Sequence, residues 1–167
     1  LKRLIKQFHT TVDDVCGTGK SSSSSSSSSK SKSKSNNNSY IICSSTCILI
    51  SSLVNQHMAS DILLLEILLI LLESPNNWTM TIIIELIEIN GKYLLNHSDN
   101  GNISLMSIYD RLREILAEAN SNEYNLTYLI QKKIENLFLL KKNNFVSCKI
   151  LISTELDLIE DNEHITF

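Results

Sequence analysis

Apolar residues recur at helical spacing along most of this 167-residue chain. In the opening segment LKRLIKQFHTTV, Leu1, Leu4, Ile5, Phe8 and Val12 fall at i, i+3, i+4, i+7 and i+11, with Lys2, Arg3, Lys6 and Gln7 opposite. That pattern predicts a surface helix with one buried stripe. The segment YIICSSTCILISSLVNQ, from Tyr40, fits a helix with Cys43, Cys47, Ile50 and Val54 inward. Its β-branched residues leave a strand open as the alternative. SDILLLEILLILLESP starts at Ser60, whose hydroxyl suits an N-cap, carries Asp61 in a first turn that favours negative charge, and stops at Ser74-Pro75. Being apolar nearly all round, it belongs in a protein core or a bilayer. It falls short of the roughly 20 apolar residues that span a membrane and Glu66 interrupts it, so the core is favoured.

In WTMTIIIELIEINGKYLL, Thr81, Glu85, Glu88 and Lys92 form one polar stripe, Glu88 and Lys92 in the favourable i, i+4 order, and everything else is expected to point inward. Gly91 weakens a helix, so it marks an end or a place of close packing. NHSDNGN is a turn cluster whose Asn102 is positioned to cap ISLMSIYDRLREILAEA. There Leu105, Ile108, Leu112, Ile115, Leu116 and Ala119 make the buried line, and Asp110, Arg111, Arg113 and Glu114 stay wet. A last helix around YNLTYLIQKKIENLFLLKK buries Leu126, Ile130, Ile134 and Leu137 and ends on Lys141 and Lys142, where cations suit the dipole. Helix starts near residues 41, 60, 78, 103 and 123 give two helices per unit of about 40 residues, the period of HEAT-like repeats. The expectation is an all-α, HEAT-like α-solenoid of antiparallel helical hairpins, with an irregular helical bundle as the alternative.

One stretch departs from this pattern, DVCGTGKSSSSSSSSSKSKSKSNNNS from Asp14 to Ser39. Gly19, Lys20 and Ser21 match the end of a phosphate-binding loop, but Asp14 stands where the first glycine belongs and would repel phosphate. The loop would also have to leave a buried strand, and this one follows a helical pattern. The tract offers nothing to bury and is read as a disordered insertion; Lys30, Lys32 and Lys34 among serines would invite phosphorylation or weak RNA contact, with an inert expansion preferred. The chain then divides into a repeat-domain helix (1–14), the insertion (15–39), a helical-repeat segment (40–152) and an acidic closing segment (153–167).

Charge and chemistry narrow the function. The net charge of −3 gives no general attraction for nucleic acid or an anionic membrane. Cys16, Cys43, Cys47 and Cys148 show no C-x-x-C spacing and read as buried thiols in a reducing compartment. Several acceptor tripeptides for N-glycosylation, including those at Asn77, Asn96, Asn102 and Asn125, are read as accidents of an Asn- and Ser-rich composition. His57, Asp61 and Glu66 lie close in sequence without a second ligand pair, and no serine or cysteine has a convincing catalytic partner. No enzyme, metal or cofactor is expected. The closing STELDLIEDNEHITF sets Leu156, Leu158 and Ile159 among Glu155, Asp157, Glu160, Asp161 and Glu163. It would strap across the last helices, present acid to a basic partner, or stay a solvated tail. Glu155, Asp157, Glu160 and Asp161 are the candidate partner-binding residues.

Four blocks in order, LKRLIKQF, LVNQHMASDILLLEILLILLESP, IYDRLREIL and ELDLIEDNEHITF, resemble the pre-mRNA-splicing factor CWC-22 family, in the back half of its middle domain. That domain is similar to the middle domain of initiation factor 4G and implies HEAT-type helical pairs. The resemblance runs over most of 1–14 and 44–167 and departs at the Ser/Lys/Asn tract, where the family has a short connection. It implies a fragment, because the family's domain begins before Leu1 and a second helical domain follows the acidic segment. It further implies a nuclear, non-enzymatic adaptor that holds a DEAD-box ATPase of the 4A-III type in an open conformation and delivers it to the spliceosome for exon junction complex assembly, with RNA contacted weakly or indirectly and no membrane. Its alternative is a related scaffold in translation initiation or ribosome assembly.

Overall fold

The structure, a computed structural model, describes residues 2–16, 29–96, 101–120 and 125–146. Six helices run in order: α1 (Lys2–Cys16), α2 (Ser29–Asn55), α3 (Asp61–Glu73), α4 (Asn77–Asn96), α5 (Gly101–Asn120) and α6 (Tyr128–Lys142). Among the described residues there is no strand, which settles 40–54 as helix and the fold as all-α. Consecutive helices pair as α1–α2, α3–α4 and α5–α6, while α2 packs on α4, α4 on α6 and α3 on α5. These contacts between alternate helices build the two layers of a helical-hairpin solenoid. Two contacts fix the direction within one layer. Tyr40 of α2 meets Trp78 of α4, and eleven residues on in α2, Ser51 meets Asn90, twelve on in α4. The two helices are therefore parallel, as every second helix of a stack of hairpins must be.

Burial follows the sequence pattern closely. Phe8 and Val12 of α1, Cys43, Cys47, Ile50 and Val54 of α2, and Leu64, Leu68 and Leu71 of α3 are all buried. In α5, Leu105, Ile108, Leu112, Ile115 and Ala119 are buried and Leu116 is half-buried; in α6, Ile130, Ile134 and Leu137 are buried. α4 lies at the centre, touching α1, α2, α3, α5 and α6. Its apolar surface is correspondingly wide.

The corners have local causes. Ser60 caps α3 by accepting from Ile62 N at 3.3 Å, and Asp61 accepts from the same amide at 2.9 Å. α4 has a reciprocal cap that the sequence reading missed. Asn76 Oδ1 accepts from Trp78 N (2.8 Å) and Thr79 N (3.0 Å), and Asn76 N donates to Thr79 Oγ1 (2.9 Å). Beyond α6, Asn144 (φ 50°) and Phe145 (φ 55°) turn left-handed and drop the Phe145 ring, 1% exposed, onto Gly91. A Cβ on Gly91 would fall inside that ring. Gly91 thus marks close packing, the second of its two readings.

Two boundaries differ from expectation. α1 continues to Cys16 and α2 begins at Ser29, so both ends of the tract read as disordered are helical. Once a helix is nucleated by its buried part, here Cys43–Val54, each further residue adds a backbone bond at little cost, and neither serine nor lysine forbids it. Residues 17–28, with Gly19, Lys20 and Ser21, lie outside the described residues. Asn102 sits within the first turn of α5 instead of capping it, since that helix begins at Gly101.

Candidate functional site

The acidic positions singled out from sequence, Glu155, Asp157, Glu160 and Asp161, lie outside the described residues, as does Cys148. What the structure assembles instead is a surface on the α2–α4 side. The stripe of Thr81, Glu85, Glu88 and Lys92 does face outward along α4. At its head stands Trp78, seven residues or two turns before Glu85, and 47% exposed. The expectation that it points inward was wrong. Position 78 shares the 3.6-residue register of Glu85 and Lys92, so the stripe's own period places it at the surface.

Trp78 packs on Tyr40 of α2, ring centroids 4.4 Å apart and planes tilted by 49°. Half-burial of Tyr40 raises its phenol pKa above the usual 10.0, and the Glu85 carboxylate adds to the rise because a phenolate would be repelled there. Beside Tyr40, Ile41 is 57% exposed. Aromatic and acidic groups therefore share this side of the molecule. Trp and Tyr at an exposed patch are the residue types that most often carry binding energy at protein interfaces.

A polar brace holds this patch in register with the next hairpin. Asn77 Oδ1 accepts from Thr127 N at 2.9 Å and Asn77 Nδ2 donates to Asn125 O at 3.3 Å, tying the start of α4 to the start of α6. The side-chain amide of Asn77 is thereby engaged in the fold. Inside, Asn90 Nδ2 donates to Ser51 Oγ and to Leu86 O (3.1 Å), a buried polar link between α2 and α4. At the opposite end of α4, Tyr93 meets His57 edge to face at 5.1 Å.

Groups that would carry chemistry do not converge. Among the described residues no cluster of three or more His, Cys, Asp or Glu could hold a metal ion. A cavity of about 30 Å³, lined by Ile5, Phe8, His9, Ile50, Leu63, Glu66, Ile67 and Ile70, has room for a water and not for a nucleotide. Cys43 and Cys47 are free, buried thiols on one face of α2, as expected. Contact with Cys47 lowers the Cys43 thiol, and that contact together with burial raises Cys47. One described helix, α2, is long and apolar enough to cross a membrane, over Asn38–Asn55, and it packs on α1, α3 and α4.

No family model matches the chain. Curated relatives do. It is 40% identical to the pre-mRNA-splicing factor CWC22 of Debaryomyces hansenii over 118 residues, 71% of this chain and 17% of the relative. It is 35% identical to the CWC22 homologue of Caenorhabditis elegans over 116 residues, 70% of the chain and 12% of the relative. With CWC22 of Candida albicans it shares 36% identity over 135 residues, 72% of the chain and 20% of the relative. The matched region is thus 12–20% of these relatives' length.

Proposed function

Since the chain is homologous to a stretch of the CWC22 pre-mRNA-splicing factors, we propose that it serves as a non-enzymatic scaffold in pre-mRNA splicing, acting in the nucleus as part of the spliceosome. The observation that carries this reading is the similarity itself, to several CWC22 splicing factors, over about 70% of the chain. The stacked hairpins support it physically, because a rigid repeat surface binds by shape without needing a reaction centre. The partner is a DEAD-box ATPase of the 4A-III type, held in the arrangement that cannot close on RNA and ATP. A scaffold does this by binding the open form more tightly, and it lowers the closed population only by that difference in affinity. Through this partner the scaffold links the spliceosome to exon junction complex assembly. Glu155, Asp157, Glu160 and Asp161 are proposed to meet basic groups of a partner.

Affinity purification of the tagged protein from nuclear extract, followed by mass spectrometry, tests the reading. Spliceosomal proteins and a DEAD-box ATPase are expected together. Recovery of ribosomal or initiation components from the cytoplasmic fraction instead would transfer the scaffold to translation or ribosome assembly.

A further inference from the structure

Aromatic rings on this molecule are commonly covered by cations. Arg113 lies 5.6 Å from the Phe138 ring centre, Lys132 lies 5.5 Å from Tyr128, and Lys141 lies 4.4 Å from Tyr109. Trp78, the chain's single tryptophan and the side chain type that attracts cations best, carries none among the described residues. Its ring is half exposed and packed on Tyr40 at a 49° tilt, and the Tyr40 phenol lies within the field of Glu85. Glu85 makes no ion pair among the described residues, whereas Arg111, Arg113 and Lys132 of α5 and α6 are paired with carboxylates. The aromatic pair and, two turns further along the same outward stripe of α4, an unneutralised carboxylate therefore lie on a surface held by the Asn77 brace.

We propose that the Trp78–Tyr40–Glu85 patch is a docking site for an arginine-bearing segment of a partner protein. The guanidinium stacks on the ring pair and its N–H fork is neutralised by Glu85, which is the pairing a planar, weakly hydrated cation makes better than an ammonium does. The same charges disfavour other occupants. Glu85 and Glu88 repel the phosphates that a stacked nucleic-acid base would bring with it, and no lysine or arginine lies on the α4 stripe until Lys92. The proposal rests on the scaffold reading and names one of its contact chemistries.

The single tryptophan makes the test direct. Trp78 emission of the whole chain is titrated with hexa-arginine peptide, hexa-lysine peptide and an oligouridylate. Hexa-arginine is expected to give a saturable change at least fivefold tighter than hexa-lysine, and Glu85→Gln to weaken it by roughly five- to twentyfold. Circular dichroism of Glu85→Gln, a surface change, checks that the helices are unaltered. Equal affinity for both peptides, insensitivity to Glu85→Gln, or tighter binding of the oligouridylate would each overturn the site. Such a result leaves the scaffold reading standing if the purified wild-type protein still recovers spliceosomal proteins, and loss of that recovery with an intact patch separates the two failures the other way.

Discussion

α4 and α6 have similar roles in the stack and opposite surfaces. α4 has neighbours on nearly every side and buries ten of its residues, from Thr79 to Leu94. α6 packs on α4 and α5 and buries Ile130, Ile134 and Leu137, leaving Leu129 and Leu139 more than half exposed. The difference shows that an apolar residue's energetic weight in a solenoid depends on its helix's position in the stack more than on its own type. A leucine in the central helix is covered from two hairpins. One on the outer face of the terminal described helix meets water.

This contrast can be broken most sharply by paired truncations. Leu86→Ala, at a position with no exposure in α4, is expected to cost about 3 kcal/mol in a urea titration, the usual loss for a buried leucine. Leu139→Ala should stay within about 0.5 kcal/mol, and a similar cost for both would end the distinction. Gly91→Ala comes next. Its methyl group would enter the Phe145 ring, so about 2 kcal/mol is expected from overpacking. Combining it with Phe145→Leu should recover part of that loss, read as non-additivity in a double-mutant cycle.

A smaller effect is expected at the brace between these two helices. Asn77→Ala removes the bonds to Thr127 N and Asn125 O and should cost about 1 kcal/mol, with raised amide exchange at the start of α6. The smallest effect is a pH dependence. The folded-state pKa of Tyr40 is raised by burial and then by Glu85, so the fold favours the neutral phenol. Its contribution is fully present below the ordinary tyrosine value of 10.0 and is lost as pH rises through the folded value. Stability of the wild type should therefore fall more steeply above pH 10 than that of Tyr40→Phe.

How much of this was legible depended on which force set each feature. The buried lines of α5 and α6, the Cys43–Val54 stripe and the Ser60 cap follow from period and local hydrogen bonding, which one segment's sequence contains. The Gly91 packing was legible only as one of two alternatives, because its partner, Phe145, is 54 residues away. The Asn77 brace and the Tyr40–Trp78 pair also depend on which helix lies alongside which, information that no single segment holds. Trp78 itself is readable from the stripe's own register, which continues back from Glu85 by seven residues. The start of α2 failed for another reason. Composition reports what a tract can bury, whereas the helix there is an extension of a neighbour that buries enough already.

The ring of Phe145 lies beyond the last residue of α6, on a segment that helical periodicity alone would discard. Anyone trimming this protein to its visible helices would cut after Lys142 and leave a bare trench along the backbone of the middle helix, open to solvent at Gly91. A shortened version must therefore keep Phe145, and a piece ended before it should come out of expression sticky and poorly soluble even though every described helix remains in it.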